Sequence, residues 1–184
     1  MSMTRIAPLE PPYEAEVAAA FERIMPPGMP ALKLFRTQAH NKRVLQRMLA
    51  GNLLDKGSID LRERELIILR TCARCGSEYE WGVHVALFAE KAGLTKVDIA
   101  ASLRADPDLS LLPAKEILLF KAVDELHDSS GISDALWMAL THYYSSAQIL
   151  EIINLTGNYH TVSFICNAAI VELESYAPRF AQFR

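Results

Sequence analysis

Four residues between Glu65 and His84 have the types and the spacing that acid/base chemistry uses: Glu65, Ser77, Glu80 and His84. Steps of three and four positions return to nearly the same side of a helix, so Ser77, Glu80 and His84 point a hydroxyl, a carboxylate and an imidazole into one space. Gly76 breaks the chain just before them. Ser77 followed by Glu80 has capping-box spacing, which predicts a helix beginning at Ser77 with the serine hydroxyl on the amide of Glu80 or its neighbour. On the preceding helix, whose start Asp60 and Glu63 can cap, Leu61, Ile68 and Cys72 form an apolar line that includes Glu65. Arg62, Glu63, Arg64, Arg70 and Arg74 fall off that line and read as solvated. A buried Glu65 would have its charged form disfavoured and its pKa raised, which suits proton transfer near neutral pH. At the edge of the stripe it would instead be the structural partner of an arginine. Spacing alone leaves both readings open.

The run LRERELIILRTCARCGSEYEWGVHVALFAEKAGLT resembles the carboxymuconolactone decarboxylase-like family, which also contains the alkylhydroperoxidase D (AhpD) type of thiol peroxidase. The resemblance is strong from Asp60 to Ala101. It continues more weakly through VDELHD near Val123 and GNYHTVSFICNAAIVELE near the end. In the peroxidase branch a glutamate is followed by a C-x-x-C pair and then by a histidine four positions after the second cysteine. Laid on this chain, the glutamate is Glu65 and the histidine is His84, while the cysteine positions fall on Ser77 and Glu80. The redox pair of that branch is therefore missing from its place, and EYEW-x-x-H looks more like the decarboxylase branch. The resemblance implies a compact all-α multi-helix bundle of the AhpD-like type, assembled as a homo-oligomer, trimer or hexamer, with a single domain over residues 1–184. It also makes His160 a site candidate, because the family packs its terminal helix near the glutamate–histidine pair. Taken alone, His160 lies among apolar residues and reads as a satisfied core histidine.

A literal C-x-x-C is present, Cys72 and Cys75, but it precedes the glycine. A cysteine at a helix N-terminus gains thiolate character, whereas these two sit near a C-terminal end, where the dipole disfavours anions. Three cysteines in all, with Cys166 inside an apolar run, fit a reducing compartment and structural burial. A lone C-x-x-C with scattered histidines falls short of a zinc site, so no metal is expected. No cofactor is expected either: phosphate-binding glycine loops, H-E-x-x-H and nucleophile-elbow patterns are all missing.

With 51% hydrophobic and 22% charged residues in 184, the chain can bury a sizeable core as one globular domain. A net charge of -3 and the lack of a basic face argue against nucleic acid as a partner, which leaves a small-molecule substrate. No apolar run reaches transmembrane length, and MSMTRIAPLEPPYE lacks the hydrophobic stretch of a signal peptide, so no membrane partner and a cytoplasmic location are expected.

Pro8, Pro11 and Pro12 predict an extended N-terminal arm over residues 1–13, and SYAPRFAQFR predicts a second arm over 175–184. Between them the periodicity predicts helices over 14–25, within 30–51, on either side of Gly76, from 94, from Pro113, from Ser133, and from Ser146 or Gln148 towards Glu174, this last one loosened at Gly157. ADPDLSLLP is the least ordered-looking connection. His127 is explained by its place at a helix C-terminus. Tyr79 and Trp81 read as core or subunit-contact aromatics.

Three functions remain in view. The first is acid/base lyase chemistry, as in decarboxylation of a small organic acid or lactone. There Glu65 and His84 would exchange protons with substrate, while Glu80 would orient the imidazole or serve as a second acid. The second is thiol peroxidase activity of the peroxiredoxin type through displaced Cys72 and Cys75. The third is a non-catalytic protein in which Glu65, Glu80 and His84 form only a buried polar network.

Overall fold

The computed structural model describes residues 4–51, 53–104 and 112–184. They form the helices α1 (Ala15–Ile24), α2 (Lys33–Gln38), α3 (Lys42–Ala50), α4 (Leu61–Arg74), α5 (Glu78–Phe88), α6 (Lys96–Leu103), α7 (Ala114–Ser129), α8 (Asp134–Thr141) and α9 (Ser146–Ala169), with a 3-10 turn at Phe180–Gln182 and no strand among the described residues. The fold is all-α, as expected. The connection ADPDLSLLP lies mostly outside the described residues.

Several helices start where side chains can satisfy their first amides. Asp60 with Glu63 closes a capping box on α4, Thr95 with Asp98 on α6, and Ser145 with Gln148 on α9. The pattern expected as one helix within 30–51 is two, because Asn41 accepts from the amide of Val44 and restarts the chain as α3. Helix α9 passes through Gly157 without a break and ends at Ala169, with Ile170 left-handed at φ 50°. It therefore stops short of the expected approach to Glu174.

Helix α4 is the axis of the bundle. Helices α5, α6, α7 and α9 pack around it, and every residue from Glu63 to Cys72 is buried. This corrects the amphipathic reading: Glu63, Arg64 and Arg70 are not solvated. A helix enclosed on all sides has no solvent face, so its charged residues must find partners inside. Arg70, 1% exposed, donates Nε and Nη2 to the two Asp124 oxygens at 2.8 and 2.7 Å. Its Nη1 reaches the carbonyls of Ser102 and Arg104, and its guanidinium lies over the Phe120 ring. Glu63 accepts from Lys115 and from the Tyr144 hydroxyl. Arg62 spans Asp98 and Glu116 at the rim. Arg64 belongs to the candidate site.

The two ends do not project. The arm over 4–13 lies on its own chain, with the amides of Arg5 and Leu9 on the carbonyls of Ala169 and Arg36, and His40 Nε2 2.9 Å from the Ala7 carbonyl. The tail folds back onto α5, where Phe180 and Phe183 meet Trp81 edge-on and the Phe180 amide donates to Glu78. Gly82 makes room for it, since a Cβ there would stand 2.5 Å from the carbonyl oxygen of Pro178. Gly82→Val is expected to lift the tail, to red-shift Trp81 fluorescence in a Trp137→Phe background, and to cost about 1–3 kcal/mol. Native stability and unchanged emission in that variant would show that the tail does not rest on Gly82.

Candidate functional site

The glutamate on α4 and the histidine on α5 meet. Glu65 Oε2 is 2.7 Å from His84 Nδ1, and both side chains are almost fully excluded from solvent, at 1% and 2% exposure. The other oxygen of Glu65 accepts from Arg64 Nε and Nη2 at 3.0 and 2.9 Å. Arg64 Nη1 continues to the carbonyl of Leu54 at 2.7 Å. On the far side of the imidazole, Nε2 faces the Tyr159 hydroxyl of α9 at 3.0 Å and Glu80 Oε1 at 3.4 Å. The His84 ring also stacks on Phe88. Arg64, Glu65, His84 and Glu80 thus form two alternating buried ion pairs, with Tyr159 at the end.

That order sets the protonation of His84. Burial pulls the imidazole pKa down, but Glu65 and then Glu80 raise it further than burial lowers it, to about 9. At neutral pH His84 is an imidazolium donating from Nδ1 to Glu65 and from Nε2 towards Tyr159 and Glu80. Tyr159 keeps its proton, because burial, with the nearby Glu80 and Glu65 charges, pushes its phenol well above the ordinary value. The arrangement is a proton store, buried and charge-balanced, with a hydroxyl on one side and a carboxylate on the other.

Ser77 lies at the N-cap of α5, but its hydroxyl makes no capping bond, contrary to the capping box expected from its spacing with Glu80. The backbone at Ser77, φ -88° and ψ 78°, is not the extended conformation of the capping residues of α4, α6 and α9, and Glu80 is turned inward to His84. Among the described residues the buried Glu80 Oε2 has no hydrogen-bond partner, and the buried hydroxyls of Ser77 and Ser163 have only thiols beside them. Thiols are their neighbours: Ser163 faces Cys72 and Cys75, Ser77 faces Cys166, and Glu80 acts on Cys72 and Cys166. Burial pushes all three thiols up, Cys72 and Cys166 well above the usual range, so none is poised as a thiolate.

His160 is elsewhere. Its Nε2 lies 2.9 Å from His127 Nδ1 and its Nδ1 lies 2.9 Å from the Thr156 carbonyl, in a cluster with Cys75. The residue of α9 that reaches His84 is Tyr159, one position earlier. The buried line Ile152, Leu155, Tyr159, Val162 and Cys166 carries that signal, since Tyr159 lies on it and His160 does not. Arg64 was missed for the reason that applies to all of α4, the lack of a solvent face.

The sequence region that carries this pair is the one that matches a known family. Residues 40–125 match the carboxymuconolactone decarboxylase family model. The match covers Glu65, Glu80 and His84 and stops before Tyr159 and His160. Two solved structures share the fold over nearly the whole chain. One is an uncharacterized peroxidase-related protein from Silicibacter sp. TM1040, 18% identical, covering 93% of this chain and 92% of its own, with a TM-score of 0.79. The other is an alkylhydroperoxidase AhpD core, an uncharacterized peroxidase-related protein from Ralstonia eutropha JMP134, 17% identical, covering 92% of this chain and 93% of its own, with a TM-score of 0.73. No curated protein matches the sequence. The likeness to the carboxymuconolactone decarboxylase family thus lies in the region of the Glu65–His84 pair, and the AhpD likeness is one of fold. No helix among the described residues is long and apolar enough to cross a membrane.

Proposed function

We propose that this protein is an acid/base lyase that decarboxylates a small organic acid or lactone. The observation that carries the proposal is the buried chain Arg64–Glu65–His84–Tyr159, which holds a proton on His84 at neutral pH. In the proposed reaction the bond from the substrate carbon to its carboxylate breaks, carbon dioxide leaves, and the electron pair passes into the substrate's own conjugated carbonyl. The resulting enolate takes a proton from the Tyr159 hydroxyl, which is refilled from His84 Nε2. Glu65 and Arg64 hold the imidazole in place and balance its change of charge. Glu80, whose Oε1 is 3.4 Å from His84 Nε2, would orient the imidazole or serve as a second acid.

Arg64 also gives a route for recognition. It lines a hollow of about 310 Å³ with Leu54, Lys56, Asp60 and Glu151, and its Nη1 donates to the Leu54 carbonyl there. A substrate carboxylate entering the hollow would take the place of that carbonyl on the guanidinium, a stronger, charge-assisted contact. Against thiol peroxidase activity stand Ser77 and Glu80, which hold the positions where the peroxidase branch has cysteines, and a Cys72 that is fully buried. The proposal includes a cytoplasmic homo-oligomer, trimer or hexamer, supported by large apolar side chains left exposed on α8 and α9: Met138, Leu150 and Phe164.

The test is carbon dioxide release from carboxymuconolactone and related lactone acids. Native protein is expected to turn over, His84→Gln to lose about 10²–10⁴-fold in kcat, and Tyr159→Phe to lose at least about tenfold. No release by the native protein, or undiminished release by His84→Gln, would overturn the proposal.

A further inference from the structure

We propose that Cys75, His127 and His160 form a binding site for a divalent ion of the zinc class, separate from the Glu65–His84 site. Three different elements deliver these residues: the C-terminal end of α4, the last turn of α7 and the middle of α9. Cys75 Sγ, His127 Nδ1 and His160 Nε2 all lie within 4.8 Å of one another. The sulfur is 3.9 Å from His127 Nδ1, which is 2.9 Å from His160 Nε2. Around a tetrahedral zinc ion, with bonds of about 2.0 Å to nitrogen and about 2.3 Å to sulfur, such atoms stand roughly 3.3–3.6 Å apart. Bringing the two separations at His127 to that geometry takes changes of about half an ångström.

The surroundings prepare the donors. His160 donates its Nδ1 hydrogen to the Thr156 carbonyl, which leaves the Nε2 lone pair aimed at the cluster. A backbone carbonyl on the remote ring nitrogen is the usual orienting partner of a ligating histidine. Asn167 donates to the Cys75 carbonyl at 2.8 Å and so ties the end of α4 to α9. Arg74, the adjacent cation, is paired with Asp124 and Asp128 and is directed to them. One thiolate with two imidazoles suits a borderline ion such as Zn²⁺ or Co²⁺ and not Mg²⁺ or Ca²⁺, which take oxygen ligands.

His127 and His160 line a hollow of about 420 Å³, bounded also by Leu126, Ser130, Ile153 and Phe164, towards which a fourth coordination position would open. No side chain at Gly157 narrows it. Three protein ligands with one position open to a hollow is the pattern of a zinc ion that keeps a water or takes a small ligand, in contrast to a closed four-ligand structural site. Binding releases the Cys75 thiol proton and requires the His127 Nδ1 lone pair, so affinity rises with pH.

The experiment titrates the chelator-treated full chain with Zn²⁺ against a chromophoric chelator, and with Co²⁺ followed by absorption. The expected result is one ion per chain, intense visible bands of tetrahedral Co²⁺, and a near-ultraviolet thiolate-to-cobalt band. Cys75→Ser should abolish the thiolate band, and His127→Gln and His160→Gln should each weaken Zn²⁺ binding at least tenfold, while Cys72→Ser and Cys166→Ser leave both readouts unchanged. Zinc should raise the melting temperature of the native chain and not that of Cys75→Ser, provided circular dichroism shows each variant folded. No stoichiometric binding, a thiolate band that persists in Cys75→Ser, or native affinity in both histidine variants would overturn the site.

Discussion

Glu65→Gln is expected to cost about 3–5 kcal/mol of folding stability and to turn His84 from imidazolium to neutral imidazole at pH 7. The substitution is nearly isosteric, so it opens no cavity and its effect is electrostatic. In the native chain one carboxylate is shared between two cations, with Oε1 taking two hydrogen bonds from Arg64 and Oε2 one from His84. An amide oxygen can replace one of those acceptors, but the amide nitrogen is a donor and faces the other cation. Two buried positive charges then stand against a neutral group, and the cheapest relief is loss of the His84 proton. Glu80 cannot compensate, because its Oε1 is 3.4 Å from His84 Nε2 and does not reach Arg64. Urea unfolding measures the first effect, and the ring-proton shifts of His84 followed by NMR against pH measure the second. A loss below about 1 kcal/mol, with His84 still protonated at pH 8, would move the anchoring role from Glu65 to Glu80.

The same pair shows what the sequence revealed and what it concealed. Glu65 stood out as a carboxylate on an apolar line, and His84 as a position one turn beyond Glu80; both are facts of periodicity. Their meeting could be expected because two helices joined at one glycine leave few ways to pack. Capping residues were equally legible, as Asp60 with Glu63 shows. What periodicity could not show was the enclosure of α4. An arginine off the apolar line looks solvated until helices on every side leave it no solvent, and so Arg64 and Arg70 were misplaced. The choice between neighbours on α9 was lost in a related way. His160 drew attention through the family resemblance, whereas the inward direction belonged to Tyr159, and a shift of one residue turns a helical side chain by about 100°. Ser77 failed for a third reason: a capping box is a statement about local backbone, and tertiary packing holds Glu80 against His84 instead. Nor could the meeting of Cys75, His127 and His160 be read, since it joins residues of three helices with no motif spacing between them.

Folding stability is expected to fall as pH rises from about 6.5 to about 9, by on the order of 3 kcal/mol, through His84 alone. The sign follows from proton counting. In the unfolded chain the imidazole loses its proton near its ordinary pKa of 6.5, whereas in the folded chain Glu65 and Glu80 hold the proton to about 9. Below pH 6.5 both states are protonated and the stabilisation is fully present. Between the two values the folded state binds more protons than the unfolded one, so each added unit of pH removes at most about 1.4 kcal/mol. Above 9 nothing further is lost through this group. Other shifted groups overlap only the alkaline edge of that window. Cys72, Cys75 and Cys166 have raised values, so their contributions begin to be lost as pH rises through the ordinary thiol range, about 8.5, and that of Tyr159 through the ordinary phenol range, about 10. His127, lowered first by burial and then by His160, acts below 6.5. The measurement is a set of urea unfolding curves for the native chain and for His84→Gln at half-unit steps from pH 6 to 9.5. The native curve should slope downward from about pH 6.5 while the variant stays flat to about pH 8, where the thiols begin to add the same slope to both, so the gap between the two narrows as pH rises. Parallel slopes in the two proteins would mean that His84 titrates alike in the folded and unfolded states, and the buried ion pair with Glu65 could not then be the proton store on which the proposed chemistry depends.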